Sequence, residues 1–201
     1  MRGDMVWEFD WTVGRVLAQL DALGIADNTI VIVTSDNGGT PTSDEGKDFG
    51  HRSNGELRGS KGGLFEGGHR VPFLVRWPGH APAGKTNGSL VVLTDLMATL
   101  AELVGAKLPA GAAPDSFSVL PALRGAAMDS LGRPAVVLHS GAGHFAIRVG
   151  PWKLICDGQV KPLHLFNLER DPLEKTDVLT REQDRAARLL VELQAIRAAK
   201  S

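Results

Sequence analysis

Asp36 and Asn37 close an apolar, β-branched run, TIVIVTSDNGG at residues 29–39, and set a carboxylate beside an amide carbonyl. Two hard oxygen donors in succession suit calcium or magnesium. Asn-Gly after a strand is also a hairpin-turn signal, which is the plainer account of the same residues. Against it, the chain does not return as an alternating strand but runs through polar, glycine-rich sequence to Gly59. Loops of that length are commonly functional or disordered. Calcium takes about six to eight oxygens and magnesium about six, so the pair would be one part of a larger ligand set. Asp44, Glu45 and Asp48 lie in the same loop, where a solvated acidic face is their ordinary role.

A second stretch, GHRSNGELRGSKGGLFEGGHRVPF at residues 50–73, places Arg58 and Lys61 among Gly55, Gly59, Gly62, Gly63, Gly67 and Gly68. Backbone without side chains can bend closely around a small anion while a cation reaches it. A solvated basic loop is an equally open reading, because neither the Gly-Lys-Ser/Thr phosphate loop nor the Gly-x-Gly-x-x-Gly dinucleotide pattern is present. His51 and His69 ordinarily serve in hydrogen bonding or packing, and His69, at a strand start, is the weaker of the two as a site residue. His51 is carried with Lys61 as a candidate substrate contact.

These residues need elements to hold them. Val13, Val16, Leu17, Leu20 and Leu23 recur at threes and fours, predicting a helix that Gly24 ends. The run TIVIVTS lacks polar alternation, as a strand covered on both faces does, and RVPFLVRWPG at residues 70–79 is its parallel candidate neighbour. TDLMATLAELVG at residues 94–105 has a Thr-Asp start and a terminal glycine, predicting another helix. Residues 106–134, rich in Pro, Gly and Ala, read as a wandering connection. AVVLHS, HFAIRVG, WKLICDG and PLHLFNL then predict an antiparallel meander. The tail from Thr180 predicts an amphipathic packing helix with Thr180 as cap and Gln183 three residues on.

Composition narrows the field without choosing within it. With 43% hydrophobic and 22% charged residues and a net charge of −1, the chain has no global field for nucleic acid, and no apolar run approaches the roughly 20 residues that span a bilayer. A single cysteine, Cys156, excludes an internal disulfide framework. No Gly-x-Ser-x-Gly elbow surrounds any serine, which argues against a serine hydrolase. The opening MRGDMVWEFDWTVG lacks the continuous apolar stretch of a secretory signal, and the compartment is left open.

Taken together, DNTIVIVTSDNGG and LRGSKGGLFEGGHRVPFLVRWPG resemble the later half of the sulfatase family, the arylsulfatase-like members of the alkaline phosphatase superfamily. The likeness continues through TDLMATLAELVGAKLP, AIRVGPWKLI and LHLFNLERDPLEKTDV. The resemblance implies an incomplete α/β fold, with part of a mixed, mainly parallel sheet flanked by helices. Residues 1–134 would be the C-terminal part of the catalytic domain, and residues 135–201 a small antiparallel sheet with a closing helix. It implies Asp36 and Asn37 as ligands of a divalent cation, usually calcium with magnesium possible. Lys61 would bind the sulfate group and the developing charge.

The family's nucleophile is a formylglycine made within Cys/Ser-x-Pro-x-Arg, and no such pattern occurs here; Cys156 sits in LICDGQV. The expectation is therefore a C-terminal portion that meets a missing N-terminal half and a carbohydrate or aryl sulfate ester, and is inactive alone. Phosphate or phosphonate ester hydrolysis, and a noncatalytic cation- or anion-binding remnant, are the alternatives. The family is often periplasmic, secreted or lysosomal.

Overall fold

The computed structural model describes residues 2–40, 50–126, 133 and 135–199. Contacts gather into two compact units, Met1–Thr34 with Pro72–Gly132, and Ser35–Val71 with Arg133–Ser201.

In the first unit, α1 (Arg2–Ala22) stops where Gly24 takes a φ of +67°, a conformation open to glycine at little cost. A 3-10 turn at Ala26–Asn28 leads into β1 (Val31–Thr34). Its neighbour is β2 (Phe73–Arg76), in a two-stranded sheet running from Val31↔Arg76 to Thr34↔Phe73. This pairing is antiparallel, not the parallel one expected of these two runs. An unbroken apolar run reports cover on both faces of a strand and carries no information on the direction of the strand beside it.

Further along the same unit, α3 (Asp95–Leu103) begins without a side-chain cap from Thr94. The fully buried Asp95 carboxylate instead accepts the Val92 and Phe117 N–H groups, at 2.9 and 3.1 Å. Thr99 extends the knot by donating to the Asp95 carbonyl at 2.6 Å and accepting the Val119 N–H at 2.9 Å. These bonds hold the stretch before α4 (Leu120–Leu123), a one-turn helix inside the expected connection, with Pro121 in its first turn.

The second unit contains the expected meander: β3 (Val136–His139), β4 (Phe145–Val149), β5 (Trp152–Cys156) and β6 (Pro162–Asn167), each antiparallel to the last. Neighbouring residues in these strands point to opposite faces, and both faces are buried. Ile147, Leu154 and Leu165 pack against Ala186, Leu189 and Leu193 of α5 (Gln183–Ala198). On the other face, Ala146, Ile155 and Phe166 pack against Leu64, with Phe65 beside them. The glycine-rich stretch is thereby the second cover of the sheet.

Helix α5 starts at Gln183, with Glu182 rather than Thr180 at its cap position and no side-chain cap bond. A turn comes first. The Leu179 N–H bonds Asp177 Oδ1, and the Arg181 and Glu182 N–H groups both bond the Val178 carbonyl, which occupies the backbone that an earlier helix start would need. Asp184 in the first turn and Arg197 in the last complement the helix dipole. Among the described residues, no helix is long and apolar enough to cross a membrane.

Candidate active site

Asp36 and Asn37 follow β1 in the chain, after Ser35. Asp36 is exposed and Asn37 half-buried. Ser35 Oγ donates to the Asn37 carbonyl at 2.9 Å, and Asn37 Nδ2 donates to the Gly38 carbonyl at 2.9 Å. With Nδ2 so engaged, Oδ1 is the atom that Asn37 can offer to a ligand. The next two residues tie this turn to the glycine-rich stretch: the Gly38 N–H bonds the Gly68 carbonyl at 3.0 Å, and the Lys61 N–H bonds the Gly39 carbonyl at 2.9 Å.

Asn54 completes the tie. Its Oδ1 accepts the Gly39 N–H at 2.7 Å, while its Nδ2 donates to the Gly39 and Gly59 carbonyls at 3.3 and 3.1 Å. The close approach explains why glycine is used here. A Cβ on Gly38 would overlap the Gly67 carbonyl oxygen, and one on Gly67 would overlap the carbonyls of Gly59 and Arg58. Asp36, Asn37 and Lys61 thus share one hydrogen-bonded backbone frame, and Lys61 presents an exposed ammonium.

The other predicted residues fall outside that frame. His51 is exposed, and among the described residues no hydrogen bond ties it to Asp36, Asn37 or Lys61. Asp44, Glu45 and Asp48 lie outside the described residues. Arg58 has a different role from the anion contact suggested by its position in the sequence. Its Nη1 donates to the Glu174 carbonyl at 2.9 Å, and its guanidinium lies 3.8 Å from the Phe65 ring centroid. Burial pushes the His69 imidazole below its usual range. Lys153 pushes it further, against Glu66 and a Gly63 backbone hydrogen bond, so His69 is neutral near pH 7 and no cation for an anion.

Beneath the glycine stretch lies a buried charge cluster that the sequence reading did not identify. Lys153 on β5 is fully buried, with Nζ 3.0 Å from Glu66 Oε1 and 2.9 Å from Glu174 Oε1. Glu174 Oε2 accepts the Glu66 N–H at 2.6 Å, at the start of α2 (Glu66–His69). Arg148 Nη1 stands 4.0 Å from Glu66 Oε2. A signal was present in WKLIC: a lysine in the middle of a buried apolar strand needs carboxylate partners, since a lone buried charge is costly.

The donor types fit a hard cation, but they are few. Among the described residues no group of three or more His, Cys, Asp or Glu could hold a metal ion. Asp36 and Asn37 would supply two oxygens of a larger set.

The sulfatase family model matches residues 2–106, and a model of the C-terminal part of N-sulphoglucosamine sulphohydrolase matches residues 60–199. N-acetylgalactosamine-6-O-sulfatase of Bacteroides thetaiotaomicron is 36% identical over 198 residues, which cover 88% of this chain and 38% of that protein. Steryl-sulfatase of Mus musculus is 46% identical over 130 residues, covering 64% of this chain and 21% of that protein. A solved structure described under glycosaminoglycan metabolism by Bacteroides thetaiotaomicron superposes with a TM-score of 0.86 at 33% identity, over 98% of this chain and 44% of its own. The phosphonate monoester hydrolase of Agrobacterium radiobacter gives 0.68 at 26% identity, over 97% and 40%. The chain therefore spans less than half the length of these relatives.

Proposed function

Because this chain belongs to the sulfatase family, we propose that it carries part of the cation and sulfate site of a sulfuric ester hydrolase. The supporting observation is the hydrogen bond from the Lys61 N–H to the Gly39 carbonyl, which registers the lysine against the turn bearing Asp36 and Asn37. In this reading Asp36 and Asn37 Oδ1 hold a divalent cation, calcium or magnesium. Lys61 binds the nonbridging oxygens of the ester, and its ammonium stabilises charge that builds on them in the transition state. When bound, the cation would add positive charge beside the same oxygens. His51 is proposed as an outer contact to the substrate, a carbohydrate or aryl sulfate ester.

The formylglycine nucleophile and the remaining cation ligands belong, in this proposal, to the part of the fold that the chain does not span. Alone, the chain would bind without turnover. The likeness to the Agrobacterium phosphonate monoester hydrolase supports a second reading, in which the ester is a phosphonate or phosphate.

Joining the chain to a nucleophile-bearing first half, and assaying aryl sulfate against aryl phosphate, tests both. Sulfate preference that is lost on chelation and restored by calcium supports the first reading. Preference for phosphate moves the function to the second. A complete enzyme whose calcium dependence is unaltered by Asp36→Ala and Asn37→Ala would end the metal assignment.

A further inference from the structure

One residue holds both ends of the arch that carries Lys61. At the first end, Arg58 Nη1 donates to the main-chain carbonyl of Glu174 at 2.9 Å. At the second, the Glu66 N–H donates to the carboxylate of Glu174 at 2.6 Å. Between these pins the arch closes on itself, through the Gly67 N–H to the Arg58 carbonyl at 2.7 Å and the Gly63 N–H to the Ser60 carbonyl at 3.0 Å.

Glu174 is itself held under constraint. It is fully buried, and its φ of +55° lies in the left-handed region that a residue with a side chain rarely adopts. Such a conformation persists only where the surroundings over-determine it. Here Lys153, fully buried on the inner strand β5, meets the same carboxylate at 2.9 Å. The rigid sheet therefore fixes Glu174, and Glu174 fixes the arch. Glu66 Oε1 already gives Lys153 one carboxylate partner at 3.0 Å, and pairing with Lys153 does not account for the two contacts that Glu174 makes to the arch.

We propose that Glu174 is a positioning residue for Lys61, a staple that transfers the rigidity of the C-terminal sheet to the exposed ammonium at the anion site. The assignment of an anion to Lys61 rests on the reading given under Proposed function, whereas the staple itself rests on the geometry of Glu174.

The two can be separated in this chain by NMR hydrogen exchange together with titration by inorganic sulfate. Glu174→Gln weakens the carboxylate pin, and Arg58→Met releases the other end without leaving a buried charge unpaired. Each should speed exchange at the Lys61, Gly63, Gly67 and Gly68 amides by about tenfold, with the Ile147 and Leu154 amides unchanged. Sulfate affinity should fall by about fivefold alongside, and Arg58→Lys, which can still donate to the carbonyl, should restore both. If Glu174→Gln does not fold, the Arg58 pair decides the matter. Unchanged exchange at the arch in Arg58→Met, or exchange that rises equally across β4 and β5, would overturn the staple. Sulfate affinity that is indifferent to Lys61→Ala would instead overturn the anion assignment, leaving the exchange result to judge Glu174.

Discussion

Two basic residues three positions apart, Arg58 and Lys61, look equivalent in the sequence and are separated by their partners. Arg58 is committed to the Glu174 carbonyl and the Phe65 ring, while among the described residues Lys61 is held through its main chain, by its N–H to the Gly39 carbonyl. In a complete enzyme Lys61→Ala should therefore lower turnover of an aryl sulfate by on the order of a hundredfold, the usual loss for one electrostatic donor aimed at developing charge. Unchanged kcat would remove Lys61 from the site. Cys156 behaves in the opposite way. Burial pushes its thiol up to about 11, with Asp157 adding to the shift, so only on the order of a thousandth is thiolate at pH 8. It should resist iodoacetamide in the native chain at pH 8 and react at the ordinary rate once unfolded; rapid native labelling would contradict this burial. Asp36, Asn37 and Lys61 could be singled out as candidates from the sequence because two hard oxygen donors close an apolar run and the lysine sits among glycines. Asn54 and Glu174 were not, because their work is done on backbone groups distant in sequence, which no local pattern encodes.

Elements follow the same division. The four meander strands and α5 were legible because short strand-forming runs, the turn residues between them and helical spacing act locally. The antiparallel pairing of β1 with β2 was not, since the apolar run is the same for either direction. The late start of α5 was hidden for another reason: Asp177 organises the turn before it. Its Oδ1 accepts the Leu165 N–H at 3.1 Å and the Leu179 N–H at 2.9 Å, and its Oδ2 meets His164 Nδ1 at 2.8 Å. Burial pushes the Asp177 carboxyl up, yet these N–H groups and His164 outweigh it and hold it below its ordinary value. A carboxyl lowered on folding stabilises in full above the unfolded value of about 3.9, and that contribution fades as pH falls through the folded value. Thermal melts from pH 7 down to pH 2 should show an acid loss of stability that Asp177→Asn reduces, while Asp177→Ala should cost about 1–2 kcal/mol at pH 7. An identical acid arm in wild type and Asp177→Asn would place the transition elsewhere.

At the scale of the molecule, the apolar surface in the first unit is unusual for a finished protein. Along α1, Met5, Val6, Trp7, Phe9 and Trp11 are all exposed, with Trp7 at 68%. A two-stranded sheet is marginal on its own, and β1 has β2 as its only partner among the described residues. Single exposed apolar side chains are ordinary, but Trp7 and Trp11, four positions apart on one side of α1, make a larger exposed aromatic patch of the kind found at interaction surfaces. Relatives more than twice as long supply the candidate, the remainder of the sulfatase fold. On this argument the chain by itself should bind a hydrophobic dye such as ANS and self-associate as concentration rises. Co-expression with a nucleophile-bearing first half should suppress dye binding and bring aryl sulfate turnover with it. Trp7→Glu together with Trp11→Glu should block that assembly while leaving the Ile147 and Leu154 amides of the meander protected. If the double variant assembles and turns over as well as wild type, the aromatic face of α1 is not where the fold is completed.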